Sequence, residues 1–290
     1  MGSRAVTLSS GGGAMPNRGV AALLFHHVGL PRPGTDPSLT VQPNRFERFI
    51  RVLERLGYNG VPARSWSAAL SGRASLPRRP ILITFDDGYA DLTEFALPAL
   101  QRVGWGSTVF VAASTVGARS AWDEPRVTPH RIMAADDIRE WAERGVEFGA
   151  HGATHCDLTR VDSTRLRAEV LDARDALAAL LGQSVTAFAY PYGSYNDEVR
   201  TLVRSSFELA FGLEDGLNGP ETDRTRLRRT MIQSSDTMID VVLRAALGRS
   251  LLEPVRAHMR LRDRARRLGR PIRRAVGRKP LQSGPPSARR

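Results

Sequence analysis

The feature that most restricts the fold is an alternation of short apolar runs with segments of helical period. VAALLF (20–25), PILITF (80–85), STVFVAA (107–113), VEFGA (146–150), VTAFAY (185–190) and LAFG (209–212) are continuous and apolar but too short for helices. Runs of this kind, closed by polar or turn residues, predict buried strands. Between them, Phe46, Phe49, Ile50, Leu53 and Leu56 recur at helical spacing with Gly57 as the stop, and further helices are predicted over 92–102, 135–144 and 163–181 and near Val199. Strands apolar on both faces and separated by helices form a parallel sheet covered by helices. About seven such strands predict an α/β barrel or an open doubly wound sheet, and in either the chemistry gathers at the carboxyl ends of the strands.

Charge divides the chain unevenly. The net charge of +12 lies in the tail: residues 254–290 hold thirteen Arg or Lys against the single acid Asp263, leaving 29 bases and 29 acids elsewhere. Three parts are expected: a flexible, glycine-rich segment 1–19, a neutral folded domain 20–250 and a basic tail 251–290. In the tail, Leu261, Ala265, Leu268, Ile272 and Ala275 are spaced by four and three among arginines, the pattern of a helix lying on anionic lipid. Pro271 interrupts it, so a solvated disordered tail is the leading reading, anionic lipid the next and nucleic acid the least favoured. No run approaches the roughly 18–20 apolar residues of a membrane span. VAALLF is shorter than the core of about 7–15 residues expected in a signal peptide. With Cys156 as the sole cysteine, a cytoplasmic location is the expectation.

The predicted strand ends carry unusual groups. ITFDDG ends on Asp86 and Asp87, VEFGAHGATH on His151 and His155, LLFHH on His26 and His27, and FAYPYG on aromatics and a proline. A parallel sheet places these on one rim. Imidazole and carboxylate ligate divalent transition metals, and two histidines four apart meet one ion across a tight or helical turn. Gly152 stands where an HExxH zinc protease has its glutamate base, which excludes that chemistry. If one aspartate completes a two-histidine, one-carboxylate site, the other is free to act as a base. Alone, DDG fits a solvated turn and HxxxH a helix face; their joint appearance points to a metal centre. Non-haem iron oxygenases use the same ligand set, but their chemistry gives a second adjacent aspartate no task.

At LLFHHVG, LPRRPILITFDDGYAD, LPALQRVGWGSTVFV, GVEFGAHGATHCDL and FAYPYGSYN the chain resembles the polysaccharide deacetylases, family 4 carbohydrate esterases built on the chitooligosaccharide-deacetylase homology domain. The resemblance spans roughly 21–248. It implies a distorted (β/α) barrel that hydrolyses acetyl groups from sugars with one divalent metal, zinc foremost and cobalt, nickel, iron or manganese as alternatives. It further implies Asp87, His151 and His155 as metal ligands, Asp86 as catalytic base, and the backbone N–H of Tyr192 as the donor to the oxyanion. Two departures stand out. The late LxLxH-like motif has no counterpart, since TRLRRTMIQSSD lacks histidine; similarity to the poly-N-acetylglucosamine branch nominates His26 as the acid, with His130 a weaker candidate and His27 in a variable position. Many relatives carry an arginine where Ala189 stands, so Arg229 is expected to tether Asp86 instead. The expected activity is removal of acetyl from an N-acetylated sugar of a glycan or lipid-linked precursor, with an inactive glycan- or membrane-binding module as the rival.

Overall fold

A computed structural model describes residues 19–31, 36–120, 122 and 129–250. The expectations for residues 1–18 and for the basic tail 251–290 lie outside the described residues. The six apolar runs all become strands. In chain order the strands are β1 (Ala22–Phe25), β2 (His27–Val28), β3 (Thr40–Val41), β4 (Asn59–Val61), β5 (Pro80–Phe85), β6 (Thr108–Val111), β7 (Glu147–Ala150), β8 (Ala187–Ala189), β9 (Leu209–Phe211) and β10 (Thr230–Met231). β2 and β3 form a separate short pair, while the main sheet runs β10-β1-β5-β6-β7-β8-β9 with β4 paired to the first half of β5. All of its strand pairs are parallel.

The sheet curls into a distorted barrel. Leu227 bridges Phe211 of β9, and three residues later Thr230 and Met231 pair with Leu23 and Leu24 of β1. One extended segment therefore links the two sheet edges. Because side chains alternate along a strand, each strand feeds two cores. Ala22, Leu82, Phe110, Ala189, Phe211 and Leu227 pack together inside the curl. Leu23, Phe25, Ile83, Phe85, Val109 and Val111 face the helices.

The helices are α1 (Pro43–Arg55), α2 (Ala63–Leu70), α3 (Asp91–Glu94), α4 (Ala96–Arg102), α5 (Ala135–Glu143), α6 (Ser163–Arg167), α7 (Ala173–Leu181), α8 (Asp197–Ser206) and α9 (Met238–Leu247). α1 begins earlier than its apolar stripe because Pro43 occupies the first turn, where a missing N–H costs nothing. Leu56, read as part of the stripe, caps the helix end and is exposed. The helix predicted over 92–102 is broken at Phe95 into α3 and α4. The one predicted over 163–181 is continuous but widens into a π turn at Ala168–Asp172, between α6 and α7.

At the amino ends of the strands Glu147 seals the barrel. Its carboxylate accepts from Thr108 Oγ1 at 2.9 Å and from the Arg64 N–H at 2.8 Å in the first turn of α2. The carboxyl ends of β1, β5, β7 and β8 lead directly into His26, Asp86, His151 and Tyr190–Pro191, so the groups singled out above share one rim.

Candidate active site

Tight turns aim the site. Asp86 extends the ladder, its N–H donating to Phe25 O at 3.0 Å, and the chain then turns through left-handed conformations at Asp87 (φ 72°) and Gly88 (φ 70°). A side chain at Gly88 would meet Val111 Cγ2 at 2.9 Å. His155 (φ 60°) and Tyr192 (φ 58°) are left-handed too, so three of the four described non-glycine residues with positive φ surround one point. Such conformations cost on the order of 1–3 kcal/mol each and persist where the surroundings enforce them.

His151 lies at the end of β7, held by its N–H to Val111 O at 3.0 Å. Its Nδ1 is 2.7 Å from Ala189 O, which requires the proton on Nδ1 and leaves Nε2 as the ligand nitrogen. That Nε2 is 3.5 Å from Asp87 Oδ1, and His155 Nε2 is 3.1 Å from the same oxygen. No well-aligned hydrogen bond reaches Asp87 Oδ1 despite its burial. One ligand atom from each of Asp87, His151 and His155 falls within 4.8 Å of the others. Two imidazole nitrogens and an orphaned carboxylate oxygen, all converging and buried, fit a divalent transition metal with open positions. Burial raises the Asp87 pKa, but the His155 charge and contacts from both histidines outweigh it and hold the carboxyl well below its usual range.

Asp86 is held differently. Arg229 Nη1 and Nη2 donate to its two oxygens at 2.6 and 2.9 Å, while Arg229 Nε donates to Gly212 O at 3.0 Å. The guanidinium lies 5.5 Å from the Phe110 ring centre and 5.8 Å from that of Phe211, inside the barrel. Burial pushes the Asp86 carboxyl up; the Arg229 and His151 charges overcome it and leave the pKa lowered. The same field acts on His151, where burial lowers the pKa and the two aspartates raise it, with a net rise.

The adjacent histidines both line the main cavity but are held differently. His26 lines the cavity with Asp86 and Asp87, and its buried Nδ1 has no hydrogen-bond partner. Burial lowers its pKa against the opposing pull of Asp87 and Asp86. His27 turns its Nδ1 to Asp91 Oδ2 at 2.7 Å and stacks on Tyr89 at 3.6 Å. His130 sits 4.3 Å from the His27 ring and lines a smaller recess behind it, not the cavity that holds Asp86. That main cavity, about 680 Å³, is walled by His26, Trp122, Tyr192 and Leu213 around the acidic and histidine groups. Tyr192 packs edge-on against His155 at 4.7 Å, with its backbone in the turn after Pro191.

Three residues of the site escaped the sequence reading. Asp91 orients His27, Trp122 stacks on His155 at 4.5 Å, and Glu169 reaches the loop between the two metal-facing histidines. Only Glu169 left a signal, as an acid beside Val170 and three residues after Leu166, on the apolar face of its helix.

Residues 73–206 match the sequence profile of the family described as polysaccharide deacetylase. A Bacillus subtilis protein named as a polysaccharide deacetylase, YxkH, is 23% identical over 211 residues, covering 72% of this chain and 70% of its own length. The poly-beta-1,6-N-acetyl-D-glucosamine N-deacetylase of Escherichia coli K12 is 21% identical over 235 residues; the match covers 70% of this chain but 35% of that protein. The Streptococcus pyogenes deacetylase PplD, solved with acetate, superposes with a TM-score of 0.67 at 21% identity over 78% of this chain and 97% of that one, which shows a shared fold. Profile and fold agree: residues 73–206 match the polysaccharide deacetylase profile, within a larger folded unit whose fold is shared with PplD.

Proposed function

We propose that this protein is a metal-dependent hydrolase that removes acetyl from an N-acetylated hexosamine in a glycan or a lipid-linked glycan precursor. One observation carries the reading: a buried Asp87, His151 and His155 cluster shares a cavity with Asp86, whose carboxylate is clamped by Arg229. When bound, a divalent ion, zinc in this proposal, would polarise the acetyl carbonyl and lower the pKa of its water to about 7.

The chain's own groups supply the rest. Asp86, kept ionised and immobile by Arg229, accepts the proton lost by the attacking water. The Tyr192 N–H, presented by a left-handed turn, donates to the oxygen that gains negative charge. As the acyl C–N bond breaks, His26 delivers a proton to the departing nitrogen; a histidine with a lowered pKa is a strong donor once protonated. Acetate and a free amine result. Asp87, His151 and His155 hold the ion, and His151 is fixed in the required tautomer by Ala189 O.

The choice of an N-acetylglucosamine-type substrate is supported by the name of the Escherichia coli relative and by a cavity large enough for one or two sugar units. A cytoplasmic setting, the expectation from the sequence, would favour a lipid-linked precursor over finished polymer. The oxygenase reading has no use for Asp86, and a binding module has none for a second carboxylate beside the metal-facing Asp87. The test is acetate release from N-acetylglucosamine oligomers, polymers and lipid-linked sugars, with and without chelator, for the wild type, Asp86→Asn and His26→Ala. Release that requires metal and Asp86 supports the proposal. Absence of release from every substrate by a zinc-loaded protein refutes it.

A further inference from the structure

Among the described residues, Glu169 is an acid that the hydrolytic scheme leaves unused and that reaches the metal-facing loop. It sits within the π turn at Ala168–Asp172, with no exposed surface. Its Oε2 accepts from the N–H groups of Ala153 and Thr154 at 2.9 and 2.8 Å. Its Oε1 accepts from Thr154 Oγ1 at 2.7 Å and pairs with Arg165 Nη2 at 2.6 Å. Ala153 and Thr154 are the middle of the spacer that joins His151 to His155. Burial pushes the Glu169 pKa up, but the Thr154 and Ala153 hydrogen bonds and the Arg165 charge outweigh it and keep the group ionised.

The spacer needs such an anchor. Gly152 (φ 76°) supplies one left-handed turn at no cost, as a glycine can, but His155 (φ 60°) is held left-handed against its preference at the other end of the loop. The other side of the loop rests on the strand end after β6, where Ala113 and Ser114 donate to Gly152 O and Ala153 O at 3.0 and 2.9 Å. Those contacts satisfy its carbonyls and leave its N–H groups facing Glu169. A side chain at Gly152 would approach Glu169 Oε2 to 3.4 Å, so the loop lies directly on the carboxylate. Wide turns of this kind recur at functional sites, and here the π turn carries the one carboxylate that receives two successive loop amides.

We infer that Glu169 is a positioning residue for the metal centre: it clamps the spacer so that the His155 imidazole stands opposite Asp87. The inference rests on the metal-binding reading above. Groups that orient ligands in this way typically contribute about 10- to 100-fold in metal affinity.

The test measures zinc affinity of the full chain by competition with a chromophoric chelator, together with Tm in the absence and presence of Zn²⁺. Glu169→Ala and the volume-filling Glu169→Leu are expected to bind Zn²⁺ about 10- to 100-fold more weakly than the wild type and to lose part of the Zn²⁺-induced rise in Tm. Glu169→Gln keeps one oxygen for the two amides and is expected to recover most of the affinity. Variants that bind Zn²⁺ as tightly as the wild type, with Tm lowered equally in both conditions, would show a purely structural role and overturn the inference. A wild type that binds no Zn²⁺ overturns the metal reading itself, which distinguishes the two failures.

Discussion

Replacing Arg229 by Met tests the relation between the barrel and its chemistry most directly. Met retains an unbranched apolar stem beside Phe110 and Phe211 but removes both hydrogen bonds to Asp86 and the one to Gly212 O. Arg229 and Asp86 are 1% and 3% exposed, so the carboxylate left behind is largely desolvated and loses both hydrogen bonds that held it. Breaking a buried pair from one side costs about 3–5 kcal/mol, which for a domain of this size lowers Tm by about 6–20 °C. The loss depends on pH. In the wild type the lowered Asp86 pKa contributes stability that is present above its unfolded value and is lost as pH falls through the folded one. In the variant burial acts unopposed by Arg229 and raises that pKa, so the Tm deficit is greatest near neutral pH and narrows as the solution is acidified. The acid limb of kcat/KM moves to higher pH for the same reason, and kcat falls about 10²-fold as Asp86 loses its fixed position. Calorimetry from pH 4 to 8 and pH–rate profiles of Arg229→Met, with the Asp86→Asn/Arg229→Met double variant, decide the matter. The double variant should be more stable than Arg229→Met alone. A Tm within about 1 °C of the wild type at every pH, with an unmoved acid limb, would refute the reasoning.

His26→Ala should lower kcat by about 10²- to 10⁴-fold with zinc affinity unchanged; a parallel loss of zinc would make His26 a ligand instead. Tyr192→Gly keeps the backbone N–H and relieves the left-handed strain, so KM should rise while kcat stays within about tenfold, whereas a kcat loss beyond 100-fold would assign catalysis to the phenol. Glu147 has its pKa raised by burial from a reference of 4.5, so its contribution to stability is fully present below that reference and is lost as pH rises through the folded value. Glu147→Gln should therefore melt no lower than the wild type at pH 7.5, with any advantage vanishing below pH 4.5, and a large destabilisation confined to neutral pH would contradict it. Exhaustive chelation should abolish acetate release, with recovery on adding Zn²⁺; full activity in the chelated protein would remove Asp87, His151 and His155 from the mechanism.

Sequence pattern carried the six apolar strands because each is a continuous run bounded by turn residues. Asp86, Asp87, His151 and His155 were equally legible, since rare ligand-bearing side chains fell at the ends of two of those runs. What escaped was short or mixed in composition. β4 and β10 have three and two residues, too few to show any period, and α2 (ARSWSAAL) is rich in small residues. Arg229 was expected to reach Asp86 because Ala189 left a gap in the motif, yet LRRT gives no hint that one of its arginines is wholly buried between two phenylalanines. The partition of the two neighbouring histidines was also invisible, because it depends on Asp91, which is 64 residues away in sequence from His27.

The segment joining β9 to β1 has a mechanical consequence. A strand of two residues, held on β1 by a ladder only as long as Leu23↔Thr230 and Leu24↔Met231, would ordinarily fray. Here it cannot part without drawing a guanidinium away from a buried carboxylate. Arg229 works as the keystone of an arch: a seam of two residue pairs is tied by a buried ion pair. Amide exchange at Leu227 and Ile232, which donate to Ala210 O and Leu24 O on the two sides of that seam, should thus be as slow as in the long central strand β5. Any opening there would disarm Asp86 in the same motion, so the molecule cannot lose its closure and keep its base.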